Sequence, residues 1–184
     1  MNLFLAFHIE PDKQLRDVYY RLKKLYRGQR VKFYPLEEMF LILRYLPETE
    51  PEFLSDVNRI IGSVTSKYFP VTINIEGVDI YPYKVLPKVL WFRVTEDKTI
   101  RALAEELDEK LREFGYSPED FAFYPHITFA RIRKLDDAKV LDITEAEFSS
   151  FQPIGFPASE VVMFESIRTT GHNRYRVRNR FKLS

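Results

Sequence analysis

An α+β fold of two pseudo-symmetric lobes, each a mostly antiparallel sheet with helices on its outer face, is what this 184-residue chain predicts. Two observations carry that expectation. Strand-like runs are interleaved with only three long helical stripes, which fits helices layered on antiparallel sheets. A strand–helix–strand order also occurs twice at one offset, and three elements repeated in register are hard to obtain by chance.

Taken in order, 3-LFLAFHI-9 reads as a buried strand. Leu15, Val18, Leu22 and Leu25 then form one helical stripe over 12–28, with Gly28 as a stop signal. The run 39-MFLILRYL-46 is again a strand, ended by Pro47. A helix over 52–67 and the strand 71-VTINIEG-77 follow, and the proline-bearing loop 81-YPYKVLPK-88 leads into the strand 89-VLWFRV-94. Ile100, Leu103, Leu107 and Leu111 line one face of a helix over 97–115, closed by Gly115. After the strand 126-HITFARI-132 comes a less regular segment (136–158) with Pro153 and Pro157. The strand 160–168, the turn 169-TTGHN-173 and a final strand over 174–183 complete the chain.

Both helices of the repeat open with Asp-Lys-x-(Leu/Ile)-Arg, at Asp12 and Asp97. The copies, roughly 3–47 and 89–133 of one bilobal domain spanning 1–184, lie 85 to 86 residues apart. That offset sets Phe40 opposite His126 and Ile42 opposite Thr128. Two such halves meeting at a pseudo-twofold axis leave a central cleft between them, the place to expect a ligand.

Composition narrows the chemistry. A formal charge of +1 provides no global attraction to nucleic acid, so any anion site must be local. The chain has no cysteine, which excludes thiolate nucleophiles and the usual structural zinc sets. His8, His126 and His172 are far apart and lack metal-ligand spacing, so neither a metal nor another cofactor is expected. The apolar LFLAF run after Met1 is too short to span a bilayer, and a cytoplasmic protein with no membrane partner is the expectation.

Two patterns hold possible site residues. His126 and Thr128 alternate on a strand and share one face. A lone histidine on an apolar strand is often only packed and hydrogen-bonded. Beside a hydroxyl, however, an imidazole can move a proton while the hydroxyl donates to an oxyanion. In the last strand Arg174, Arg176, Arg178, Arg180 and Lys182 take every second position. That stripe reads either as an edge strand protected from pairing or as a track for phosphates.

With these residues in view, the chain resembles the 2H phosphoesterases, in particular the bacterial and archaeal RNA 2′,3′-cyclic phosphodiesterase (2′-5′ RNA ligase) branch. 125-PHITFAR-131 is similar to that branch's second His-x-Thr motif, LFLAF to its first strand, 80-IYPYKVLPKVLWFRV-94 to its proline loop and Trp-containing strand, and 164-FESIRTTGHNRY-175 to its closing stretch. The resemblance implies the bilobal fold and a ligand of RNA ends, or small nucleotides, carrying a cyclic phosphate. It further implies two histidines, one activating water and one protonating the departing ribose oxygen, each beside a hydroxyl that holds the phosphate. Here His126 and Thr128 are the expected catalytic residues. The first motif is degenerate, with Phe40 and Ile42 at the histidine and threonine positions, where they can form an apolar shelf for a base. Arg131, Tyr175, Arg174 and Arg176 complete the expected substrate contacts, and His8 and His172 are the histidines left to replace the missing proton donor. Two readings follow: a phosphodiesterase of reduced activity, or an inactive protein of the same fold that binds RNA ends or nucleotides.

Overall fold

A computed structural model of the chain describes residues 1–83 and 86–184. The proline-bearing loop expected at 81–88 therefore lies partly outside the described residues. The elements run β1 (Leu3–His8), α1 (Lys13–Leu25), β2 (Arg30–Phe33), β3 (Phe40–Leu46), α2 (Leu54–Thr65), β4 (Val71–Tyr81), β5 (Val89–Val94), α3 (Lys98–Phe114), β6 (His126–Lys134), α4 (Lys139–Phe148), β7 (Ile154–Ala158), β8 (Glu160–Arg168) and β9 (Asn173–Lys182). They build two antiparallel sheets, one ordered β3-β1-β8-β9 and the other β2-β6-β5-β4-β7. The α+β, two-lobed architecture expected from the interleaving is the one observed.

The two helices with matching starts are capped alike. The Asp12 carboxylate accepts a hydrogen bond from the Leu15 N–H at 2.9 Å. The Asp97 carboxylate accepts from Thr99 and Ile100 at 2.8 and 2.9 Å. Each cap satisfies donors that the first helical turn leaves unpaired. Gly115 closes α3 at φ +125°, a conformation other residues resist. Gly28 (φ +86°) plays no such part, because α1 stops at Leu25 and Tyr26 caps it.

Three elements go beyond the sequence expectation. β2 is only four residues long and joins the second sheet outside β6. The segment 136–158 contains α4 and β7. α4 buries Val140, Leu141, Thr144 and Phe148, so its inward stripe includes a hydroxyl that the apolar periodicity does not show. Thr144 donates to the Val140 carbonyl and accepts from the Tyr26 hydroxyl, both at 2.7 Å, which makes its burial tolerable. β7 pairs with β4 alone and sits at the sheet edge, where Pro157 can be tolerated. The end of α4 approaches β4 closely at Gly77, where a Cβ would come within 2.2 Å of the Ser149 carbonyl oxygen.

The two sheets share a register. In the first, His8 lies opposite Phe40 and Ala6 opposite Ile42; in the second, Arg93 lies opposite His126 and Trp91 opposite Thr128. Each ladder slips at the same point, leaving Leu43 extra in β3 and Phe129 extra in β6. Burial runs in the same order along both strands from Phe40 to Leu46 and from His126 to Ile132. One side of each sheet feeds a large core that includes Leu5, Phe7, Leu41, Phe92 and Phe129. β3 and β6 lie against each other, so their other faces meet across a common opening.

Candidate nucleotide cleft

That opening is a cleft of about 1050 Å³ whose wall includes Phe40, Ile42, His126, Thr128 and Tyr175. Five of the eight expected site residues therefore come together. Strand alternation places His126 and Thr128 side by side, and the matched register of β3 sets Phe40 and Ile42 facing the same space.

His126 is held by its neighbours. Its Nδ1 lies 2.7 Å from the Tyr124 carbonyl oxygen, which can only accept, so Nδ1 carries the proton and Nε2 presents a lone pair. The Trp91 ring packs at 4.1 Å between centroids, and Tyr81 stacks on the indole at 4.6 Å. Burial pushes the imidazole below the ordinary histidine value of 6.5, partly opposed by the hydrogen bond to the Tyr124 carbonyl. The ring is thus neutral and basic at neutral pH. Among the described residues, none hydrogen-bonds the Thr128 hydroxyl, which leaves it able to donate to a ligand.

The opposite patch is apolar. Phe40 packs on Phe4, Phe164 and Tyr175, with centroids at 5.3, 4.7 and 5.2 Å, and neither Phe40 nor Ile42 carries a proton donor at the positions that the repeat sets opposite His126 and Thr128. His8 faces the same side as Phe40, with its ring at 5.3 Å and its Nε2 at 2.8 Å from the Glu37 carbonyl oxygen, but it is not part of the cleft wall. His172 is exposed in the turn before β9 and is likewise outside that wall.

The cationic stripe is arranged differently from the sequence expectation. The β8–β9 register slips between Met163 and Phe164, which leaves Arg178 as the extra residue. Tyr175 consequently faces the cleft opposite Ser166, while Arg174 and Arg176 turn to the other face with Ile167 and Glu165. Arg176 pairs with Glu165 at 2.6 Å, Arg178 reaches the same carboxylate at 3.5 Å, and Arg180 pairs with Glu160. The expected contact of Arg174 and Arg176 with a ligand in the cleft is not what this register supports. Arg131 also stands outside the cleft wall, yet the slip at Phe129 returns it to the face of β6 that bears His126 and Thr128. It lies directly opposite Lys32 of β2, a pairing of like charges.

The cleft wall itself is acidic. Glu105, Asp108 and Glu109 from α3 and Glu119 and Asp120 from the following loop face it, beside Arg44 and Arg112. Both arginines are engaged: Arg112 pairs with Asp108 at 3.1 Å, and buried Arg44 pairs with Asp108 at 2.9 Å and Glu119 at 2.8 Å. Sequence reasoning passed over Arg44, whose position in the strand period reads as another outward polar residue. Among the described residues no cluster of three or more His, Cys, Asp or Glu is placed to hold a metal ion. No described helix is long and apolar enough to cross a membrane.

The model of the 2′-5′ RNA ligase superfamily matches residues 41–170, most of the chain. The chain belongs to that superfamily. Among relatives of the superfamily, an Archaeoglobus fulgidus protein named RNA 2′,3′-cyclic phosphodiesterase is 31% identical over 144 residues, covering 78% of each chain. One of the same name from Methanocaldococcus jannaschii is 22% identical over 177 residues, covering 96% of this chain and 98% of its own. The fold agrees with a crystal structure from Thermus thermophilus (TM-score 0.80, 22% identity, 100% of this chain and 98% of that one). It agrees also with E. coli LigT complexed with 3′-AMP (TM-score 0.76, 18% identity, 100% and 98%). Ile42, His126 and Thr128 lie within the matched span, and Phe40 immediately precedes it.

Proposed function

We propose that this chain opens 2′,3′-cyclic phosphates at RNA ends or on small nucleotides by a one-histidine mechanism. The observation that carries the reading is the His126 tautomer: with Nδ1–H donated to the Tyr124 carbonyl, Nε2 is free to act as a base in the cleft beside Thr128. In the reaction His126 Nε2 takes a proton from water, and the water oxygen bonds to phosphorus. The bond from phosphorus to one ribose oxygen breaks, giving a phosphomonoester. Thr128 donates to a non-bridging oxygen. Phe40 and Ile42 have no proton to give, so the departing oxygen is protonated by solvent. Lack of that general acid costs about 10²- to 10⁴-fold in rate. The chain works as one bilobal domain, with 3–47 and 89–133 as copies that diverged at this motif, and a cytoplasmic place of action goes with RNA as substrate.

The acidic wall and the engaged arginines favour a short end carrying one cyclic phosphate over a long polyanion. A second reading, binding without turnover, is favoured by the apolar Phe40/Ile42 patch. Incubating an oligonucleotide that ends in a 2′,3′-cyclic phosphate separates the two. Slow opening that disappears with His126→Gln is expected. An end group that never opens above background, with the nucleotide still bound, would leave only the binding reading.

A further inference from the structure

Beside the cleft, and sharing Phe40, Ile42, Tyr45 and Tyr175 with it, is a second cavity of about 350 Å³. Its inner wall is aromatic: Phe4 lies 5.3 Å from Phe40 and 5.6 Å from Tyr175, and Phe40 lies 5.2 Å from Tyr175. Its remaining wall offers Asn2, Ser166 and Asn173. The Asn2 Oδ1 accepts from the Glu48 N–H at 3.2 Å, which leaves its Nδ2 free to donate. Among the described residues that line it there is neither a carboxylate nor a cation.

We infer that this cavity is a nucleobase subsite, and that the replacement of the first motif by Phe40 and Ile42 turned a proton-donating position into a wall that grips the base of the terminal nucleotide. The inference rests on the proposed cyclic-phosphate reading for its orientation. A wall without a cation gives a phosphate no charge compensation, which favours a neutral occupant. Three aromatic rings prefer a flat group, because every base presents a π-face for stacking. Amide and hydroxyl groups at the rim match the polar edges of a base, which a purely aliphatic occupant would leave unpaired. Continuity with the cleft through Phe40 and Tyr175 lets a single nucleotide place its base here while its phosphate reaches Thr128.

The test uses adenosine and uridine, which carry no phosphate, with ribose as the baseless control, followed by ligand-observed NMR and calorimetry on the intact chain. Both nucleosides should bind and ribose should not. Phe40→Leu and Tyr175→Leu should each weaken nucleoside binding about 10- to 100-fold. Ser166→Trp, which fills the cavity from a half-buried position near the end of β8, should do the same if either of those variants fails to fold. His126→Gln should leave nucleoside affinity as it is. Nucleosides binding no better than ribose, or responding to His126→Gln and not to the three wall variants, would overturn the subsite. Bound nucleoside with no cyclic-phosphate opening would sink the hydrolase reading and leave the subsite standing.

Discussion

At the scale of single residues, a backbone carbonyl decides what His126 can do. Nδ1 is committed to Tyr124, so the free nitrogen is the one without a proton, and the group serves as base and not as acid. Burial lowers its pKa below 6.5, so the base form survives further into acid than for a free histidine. Cyclic-phosphate opening should therefore be flat above about pH 6.5 and fall only below it, and His126→Gln should remove about 10²- to 10⁴-fold of the rate. Steady-state rates across pH check both. The same shift has a consequence for stability. Between the lowered folded pKa and 6.5 the unfolded chain binds more protons, so stability falls as pH falls through that window. Urea unfolding at about pH 5 and about pH 7.5 should show that loss in the wild type, and His126→Gln should lack this part of it. The pairing of His126 with Thr128 was legible in the sequence, because period-two alternation needs no tertiary information. The tautomer was not, because it depends on where the Tyr124 carbonyl comes to lie.

At the scale of elements, β3 and β6 are the same device with different chemistry. Both carry the same order of buried and exposed positions and slip in the same place, so a side chain moved from one to the other meets a comparable backbone. Phe40→His combined with Ile42→Thr should restore a second proton donor and hydroxyl, and raise the rate of cyclic-phosphate opening about 10²- to 10⁴-fold. Single-turnover kinetics on a cyclic-ended oligonucleotide test this, and no gain in a folded double variant would mean that the two strands are not functional equivalents. Paired strands and capped helices were legible because each writes a local period bounded by turns or caps. α4 was hidden by the buried Thr144, and β2 by its four-residue length. The slip at Arg178 was hidden for a deeper reason: a bulge is set by the partner strand, and the sequence of β9 alone shows five cations on one face.

Across the whole molecule, charge holds the lobes together more than it attracts a polyanion. Arg44 leaves β3 of the first lobe to pair with Asp108 of α3 and Glu119 of the next loop, and donates to the Ser117 carbonyl. Its side chain is only 2% exposed, against 26% for Asp108 and 33% for Glu119, so its loss is softened by water reaching the carboxylates. Arg44→Met should cost about 2–3 kcal/mol, read from urea unfolding.

RNA binding follows from the same distribution. With Arg176 and Arg178 tied to Glu165, and Arg174 and Arg176 facing away from the cleft, the strongest cationic run in the sequence is not positioned to track phosphates there. Arg131 and Lys32 share a face with His126 and Thr128, as does Arg93, which Glu76 and Asp79 hold, and the direct opposition of Arg131 and Lys32 is relieved when an anion sits between them. One or two phosphate contacts correspond to a shallow dependence of log affinity on log salt, with a slope between about −0.7 and −1.4 for single-stranded RNA. Fluorescence anisotropy with a short cyclic-ended RNA across about 50–200 mM salt should give that slope. Arg131→Gln should flatten it by about 0.7, whereas neutralising Arg174 and Arg176 together should leave it unchanged. A much steeper slope that collapses on neutralising Arg174 and Arg176 would mean that RNA runs along β9, and the ligand would then have to be placed on the opposite face of the first sheet.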